Sequence, residues 1–239
     1  MSRPHPAQHV SAVRRLRRNP SVKLPPTFTT PVIVVGNGGS CDEMPPEFWQ
    51  QDVAYIGTNR CLAVAACRNV EWSALVMRDS YRKMFTVDDH GWQYHGQLWK
   101  PATAWKVGSA HDRGVWCDEY VRQVDGWQFE RAEDHNREAA VIRNSSVVLM
   151  AANWAWIQGA RDIRLIGVDY RLPHHAKMFA PWSTKPQGDV QQYARPVPPG
   201  IEKQFKRARM AIESAGGSIT NLSPGTSLQA VPTGKEIHT

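Results

Sequence analysis

Chemistry in this sequence is concentrated in short polar clusters that directly follow apolar runs. Gly36-Asn37-Gly38-Gly39-Ser40 comes after residues 31–35, Thr58-Asn59-Arg60 after 53–57, Arg78-Asp79-Ser80 after 72–77, and Asp169 closes 162–169. A glycine-rich turn lets backbone amides approach a phosphate, and a helix starting just beyond it adds partial positive charge. The loop is neither G-x-G-x-x-G nor a Walker loop, because no Gly-Lys-Ser/Thr follows, so it reads equally as a structural turn or as a phosphate site. Four such clusters at strand ends favour the second reading, since converging polar termini make a nucleotide pocket. Asn37 and Asn59 can donate to phosphate or sugar oxygens, or serve as turn residues. Arg78 or Arg171 has the guanidinium geometry to neutralise a diphosphate leaving group. Asp169 fits a ribose hydroxyl or a helix cap. His174 and His175 are the nearest imidazoles to Asp169 and titrate in the range a general base needs. For metals the sequence offers only Asp88-Asp89, with no Asp-x-Asp, no H-x-x-x-H and no Cys/His cluster at ligand spacing. Metal-independent chemistry with no tightly bound cofactor is the expectation.

The elements that must hold these clusters alternate in type. Residues 31–35, 53–57 and 72–77 read as buried strands, with a short helix over 43–51 opening near Pro45 or Pro46 and a small-residue helix over 61–67. Residues 147–158, apolar and free of proline, predict a buried helix capped by Asn144 or a neighbouring serine and stopped by Gly159. A strand over 162–169 follows. An amphipathic basic helix over 201–215 is stopped by Gly216-Gly217, and 218–222 makes a closing strand. Residues 172–200, rich in Pro and Gln, are too long for an ordinary loop and read as a lid or an excursion. Residues 88–130 contain five of the ten tryptophans in a pattern with no assignable period. Strands and helices alternating in this way predict an α/β fold, Rossmann-like, with a mainly parallel sheet covered by helices on both faces and ligands at the strand carboxyl ends. We read residues 31–239 as one nucleotide-binding domain and 1–30 as a basic arm.

Charge supports that division. The formal net charge is +7, yet residues 1–41 hold no Asp or Glu and carry Arg3, Arg14, Arg15, Arg17, Arg18 and Lys23, which leaves 23 basic against 22 acidic residues in the remainder. Arginines at 14, 15, 17 and 18 interrupt any secretory apolar stretch, and no run approaches the ~20 apolar residues of a membrane span. The four cysteines form no C-x-x-C pair and no dense framework, so reduced thiols and a cytoplasmic location are expected. Arg14, Arg15, Arg17 and Arg18, together with the many tryptophans, also suit contact with nucleic acid, arginine on phosphate and aromatic faces on unstacked bases.

Gly36-Asn37-Gly38-Gly39-Ser40 after its strand resembles the G-N-G-P-S opening of the bacterial sialyltransferases, and Thr58-Asn59-Arg60 resembles their Cys-Asn-Gln position. Asn144-Ser145-Ser146 through Asp169-Tyr170 is similar to their T-S-G-V helix and following G-Y-K-E-I-Y-L-S-G-I-D-F-Y strand, and residues 219–227 to their closing strand and Pro-Asn-Ser turn. The likeness covers about 31–80 and 142–228. It extends to archaeal-type hydroxymethylpterin pyrophosphokinases and to phage and bacterial glycosyltransferase-like proteins. It implies a glycosyltransferase-A-like variant of the fold and a nucleotide-sugar co-substrate. Nucleotide phosphates and ribose would lie on Gly36, Asn37, Gly38, Gly39 and Ser40, with Thr58, Asn59, Arg78 and Asp79 nearby and the base near Asn144, Ser145 and Ser146. Two departures stand out. Arg171 replaces the family's second tyrosine after the strand aspartate, and residues 187–214 hold none of the histidine that the family places there. The expected activity is transfer of a sugar to a hydroxyl acceptor, which a modified nucleic-acid base could supply after extrusion. The alternatives are an ATP-dependent pyrophosphokinase and a nucleic-acid-binding protein that has lost catalysis.

Overall fold

A computed structural model of the 239-residue chain describes residues 24–29, 31–59, 61, 70–78, 86–88, 91–94, 97–99, 104–109, 117–130, 139–142, 146–170, 197 and 199–234. Eleven strands and two α-helices are defined among them. Eight strands form one sheet: β1 (Val32–Val35), β2 (Ala54–Thr58), β3 (Trp72–Met77), β7 (Trp105–Ser109), β8 (Glu119–Val124), β9 (Ala139–Ile142), β10 (Asp162–Ile166) and β11 (Ser218–Asn221). Their spatial order is β11-β10-β1-β2-β3-β7-β8-β9, and every pairing is parallel. A separate antiparallel meander comprises β4 (Thr86–Asp88), β5 (Gly91–Tyr94) and β6 (Gln97–Trp99), in which Trp92 stands opposite Trp99. The chain is therefore an α/β protein built on an eight-stranded all-parallel sheet, consistent with a Rossmann-like arrangement.

Chain order fixes which face each connection takes. From β1 the chain steps outward through β2, β3, β7, β8 and β9, then returns across the sheet to β10, beside β1 on its other side. Parallel crossovers are right-handed in nearly all proteins, so reversing the direction of travel moves the connections to the opposite face. Both α-helices follow the reversal. α1 (Val147–Ile157) joins β9 to β10, and α2 (Pro199–Ser214) lies between β10 and β11. Both contribute to a core that includes Val32, Val34, Ile56, Val76, Ile163 and Leu165. The alternate side chains Ile33, Val35, Tyr55, Leu75 and Met77 pack on the other face against Met44, Phe48 and Trp49, from the segment that joins β1 to β2. Helices on both faces were expected, but among the described residues the α-helices share one face. The other face is covered by two 3₁₀ turns, Gly39–Glu43 and Pro46–Gln50, where a single short helix over 43–51 was expected. Proline at 45 and 46 accounts for this, because Pro45 holds an extended backbone between the two turns. The expected helix over 61–67 and the lid over 172–200 lie almost entirely outside the described residues.

α1 is buried all round, every residue from Val147 to Trp156 included, and only one of these is a hydrogen-bonding amide. That residue, Asn153, is completely buried. Its Oδ1 accepts from the backbone N–H of Ile142 (2.7 Å) and of Gln128 (3.2 Å), while Nδ2 donates to the Gln128 carbonyl (2.7 Å). One side chain thus satisfies three backbone groups in two segments that the sheet ladder leaves unpaired. Near the amino end of the sheet, the buried Glu119 carboxylate accepts from the indole N–H groups of Trp105 (3.1 Å) and Trp154 (3.2 Å), joining β7, β8 and α1. These pairings explain the tryptophan-rich sequence that showed no period. Its strands are three to six residues long, too short to establish an alternation, and its Trp105 indole serves as a donor as well as packing.

Replacing Asn153 by Ala strands the three backbone groups in an apolar setting, and each such loss costs about 1–3 kcal/mol. The expected outcome is a fall in urea-unfolding stability of about 3 kcal/mol with an unchanged m-value. A change below about 0.5 kcal/mol, the scatter of ordinary surface substitutions, would show that Asn153 does not hold these segments.

Candidate functional site

The point at which the chain reverses lies between β1 and β10, and in open parallel sheets the crevice at such a point, outside the strand carboxyl ends, is the usual ligand site. Because all eight strands are parallel, the clusters after β1, β2, β3 and β10 emerge along the same edge. Gly36–Ser40 and Asn59 accordingly lie on the same edge of the sheet.

The glycine loop is stitched to the end of β10. Gly36 N–H donates to the Ile166 carbonyl (2.7 Å) and Gly38 N–H to the Gly167 carbonyl (2.8 Å). Ser40 N–H donates to Asp169 Oδ2 (3.0 Å), its hydroxyl donates to Asp169 Oδ1, and the same hydroxyl accepts from Gly167 N–H (3.2 Å). Ser40 and Asp169 are fully buried. The glycines answer to this contact. A Cβ on Gly36 would collide with the Gly167 carbonyl oxygen, and one on Gly38 would come within 2.5 Å of Asp169 Oδ2 and 2.6 Å of the Gly167 oxygen. Gly167 itself has φ +73°, and its own Cβ would meet Cys41 Sγ at 2.7 Å.

Three amides expected to be available for phosphate, those of Gly36, Gly38 and Ser40, are therefore used to hold β1 against β10. The structure starts a 3₁₀ turn at Gly39, inside the loop, and a second at Pro46, near which the N-terminus of a short helix was expected. Asn37 differs from its neighbours. Its Oδ1 is buried and has no hydrogen-bond partner. An unsatisfied buried acceptor costs about 1–3 kcal/mol, and at a switch point it is the kind of group a ligand satisfies.

Beside the loop, Thr58 is buried and gives its hydroxyl to the Val35 carbonyl (2.8 Å), locking the ends of β2 and β1 together. Asn59 has φ +43°, and its Oδ1 accepts from Arg78 N–H (3.2 Å), joining the ends of β2 and β3. Arg78 is exposed at this edge. On the far side, the turn after β11 secures the end of β10. The Val168 carbonyl accepts from Asn221 Nδ2 (3.1 Å) and the Thr226 hydroxyl (2.8 Å), Val168 N–H donates to Ser223 Oγ (2.9 Å), and Ser227 N–H donates to the Asp169 carbonyl (2.8 Å). The closing strand and its turn thus act on the site directly.

Tyr170 was quoted in the sequence only as part of a motif, yet the structure gives it a defined setting. Its backbone has φ +48°, its ring meets Phe205 of α2 edge-on at 6.5 Å, and its hydroxyl is hydrogen-bonded to the Ser146 side chain at the start of α1. Burial pushes its hydroxyl above the usual tyrosine value of 10, the Ser146 hydrogen bond opposes that shift, and Glu202 adds to it. Ser146, expected near a nucleotide base, is the residue preceding α1, and its side chain makes no capping bond. Positive φ at a non-glycine residue costs of order 1 kcal/mol and concentrates at functional sites. Among the described residues the two such cases, Asn59 and Tyr170, both follow strand carboxyl ends.

Of the remaining site residues proposed from sequence, Arg14, Arg15, Arg17, Arg18, Asp79, Asn144, Ser145, Arg171, His174 and His175 lie outside the described residues. Among those described, no group of three or more His, Cys, Asp or Glu could hold a metal ion, and no helix is long and apolar enough to cross a membrane. Fold and crevice together define a parallel α/β protein with a candidate ligand site at its switch point. Comparison with family models, curated proteins and solved structures returns no match.

The Ser40–Asp169 clamp is open to a double-mutant cycle. Asp169→Ala leaves Ser40 N–H stranded and should cost about 3 kcal/mol of stability, while Ser40→Ala should cost about 1–2 kcal/mol. Because the two share their bonds, the double variant should be less destabilised than the sum by about 1 kcal/mol. Additivity within about 0.3 kcal/mol would mean that the pair does not act as a unit.

Proposed function

We propose that this chain is a metal-independent glycosyltransferase that takes a sugar from a nucleotide-sugar donor and gives it to a hydroxyl acceptor, with the donor seated in the crevice between β1 and β10. The observation that carries the reading is the buried, unpartnered Oδ1 of Asn37 at the switch point. A ribose or hexose hydroxyl donates to such an oxygen and accepts from the neighbouring amide nitrogen, so a sugar-bearing ligand satisfies both ends of the side chain. Resemblance of the strand-end motifs to the sialyltransferase-like proteins supports the same choice. It also supports the glycosyltransferase-A-like variant, with residues 172–200 as a lid-like insertion.

In the proposed reaction the acceptor oxygen forms a bond to the anomeric carbon as the bond from that carbon to the donor phosphate breaks. The acceptor proton passes to His174 or His175, and the phosphate leaves with its charge met by Arg78 or Arg171. Asn59 and the side chain of Asn37 hold the nucleotide. Asp169 acts as a positioning residue here, since its carboxylate is engaged by Ser40. A base in nucleic acid is one acceptor compatible with the charge of residues 14–18.

A thermal-shift screen of CMP, UDP, GDP and ATP together with their sugar conjugates tests the reading, because a ligand bound only to the native state raises apparent stability. At least one nucleotide sugar should raise Tm by several degrees, with the shift unchanged by EDTA. Asn37→Ala should abolish the shift while leaving the unliganded Tm within about 2 °C. Asn37→Asp, which keeps an acceptor, should preserve the shift if a hydroxyl faces residue 37 and lose it if a phosphate does. Stabilisation by ATP alone, lost with EDTA, would replace the transferase by a pyrophosphokinase. Failure of every nucleotide would remove both.

A further inference from the structure

α2 is held to the sheet by Phe205, Ala208 and Ile212, which turns its other side to solvent. Lys203, Lys206 and Arg207 are exposed there at i, i+3 and i+4 spacing, and so stand together on one face. Met210, 56% exposed, continues the line one turn further. Arg209 pairs with Glu213 at 3.5 Å, whereas Lys203, Lys206 and Arg207 have no ion pair among the described residues. The helix spends its apolar side on the core and has none left to sink into a lipid surface. Three unneutralised cations within little more than one turn fit a polyanion lying along the helix.

Beyond α2 the chain passes through Gly216 and Gly217 to a second feature. Gly217 packs so closely on Trp156 that a Cβ there would come within 2.5 Å of the ring, and Ser218 N–H donates to the Arg161 carbonyl (2.8 Å). The exposed Arg161 guanidinium lies 4.1 Å over the Trp156 ring, and Phe129, 47% exposed, meets the same ring edge-on at 6.5 Å. Phe28 N–H donates to the Gln158 carbonyl (2.9 Å) at the same end of α1. The carboxyl end of α2 thus leads, through Gly216 and Gly217, to the arginine–aromatic platform on Trp156.

We propose that this face binds single-stranded nucleic acid, with Lys203, Lys206 and Arg207 on its phosphates and an unpaired base stacked on Phe129 and Arg161. An exposed ring and a planar guanidinium that meet the same indole offer unpaired bases stacking surfaces, which bases already paired in a duplex cannot use. The proposal holds whether or not the chain transfers sugar.

The test is fluorescence anisotropy of a labelled oligothymidylate with the full chain, at several salt concentrations between about 50 and 200 mM. The triple variant Lys203→Glu, Lys206→Glu, Arg207→Glu should bind at least tenfold more weakly at low salt. The neutral triple variant with Gln at these positions should flatten the log–log salt slope by about 2, near 0.7 for each single-strand phosphate that is no longer neutralised. Phe129→Ala should weaken binding about tenfold with no change in slope, the mark of a stacking contact. All three positions in the stripe are exposed, so the circular dichroism melts should coincide with wild type. Equal affinity and slope for wild type and the triple variants would overturn the proposal, as would tighter binding to duplex of matched length or no binding at all.

Discussion

The close approach of Gly36 to Gly167, where the carboxyl ends of β1 and β10 touch with no room for a Cβ on either residue, is the constraint from which the rest of the edge follows. Strands separated by more than 120 residues meet there because the chain reverses direction after β9. The contact is made by backbone-to-backbone bonds from Gly36 and Gly38 and closed by Ser40 on Asp169. A side chain at 36 or 38 would push the strands apart and take the crevice with them. Gly167 meets the same need from the other strand with a positive φ, which only glycine adopts at little cost.

That constraint changes what the loop can do. A glycine-rich turn invites the reading that its amides await a phosphate, yet here three of them are committed to β10, and Asp169 adds a buried carboxylate behind them. Within the loop, Asn37 carries a buried side-chain oxygen that the protein does not satisfy. The pattern differs from a phosphate cradle, because the unsatisfied group is a side-chain amide, suited to hydroxyls. Around it the strand ends are cross-tied: Thr58 to Val35, Asn59 to Arg78, and the Ser223 to Ser227 turn to Val168 and Asp169. These ties hold the edge in one geometry and keep rigid the atoms a ligand would meet. Two residues at positive φ, Asn59 and Tyr170, hold modest backbone strain at that edge, supported by the surrounding hydrogen bonds.

The sequence made the central strands legible because parallel, doubly covered strands read as continuous apolar runs: Val32–Val35 and Trp72–Met77 fall within a residue of their expected bounds, and α1 and α2 within two. The polar strand ends were legible for the same reason, each starting where an apolar run stops. β4 to β8 were not legible, since strands of three to six residues that mix Trp and Gln with charged residues show neither a sustained alternation nor a clean apolar block, and the apolar β9 is only four residues long. Nor was the partnership of Ser40 with Asp169, across 129 residues, or that of Glu119 with two indoles, because nothing local marks a long-range hydrogen bond. One signal went unused: Asn153 is the lone hydrogen-bonding amide in an otherwise apolar helix, and a polar residue in a fully buried helix must find partners. The distribution of α-helices between the faces could also have been inferred once the reversal after β9 was known, from crossover handedness alone.

The central claim, that the crevice between β1 and β10 is where this protein takes a nucleotide-bearing ligand, is tested most directly by amide chemical-shift mapping of the isotope-labelled chain during titration with the nucleotide sugar that stabilises it most. The account predicts saturable shifts confined to Gly36–Ser40, Thr58–Asn59, Arg78 and Gly167–Tyr170, with the largest change at the Asn37 side-chain amide. Shifts that instead gather at the opposite strand ends, around Trp105, Glu119 and Trp154, or that leave Asn37 unmoved at saturation, would contradict it.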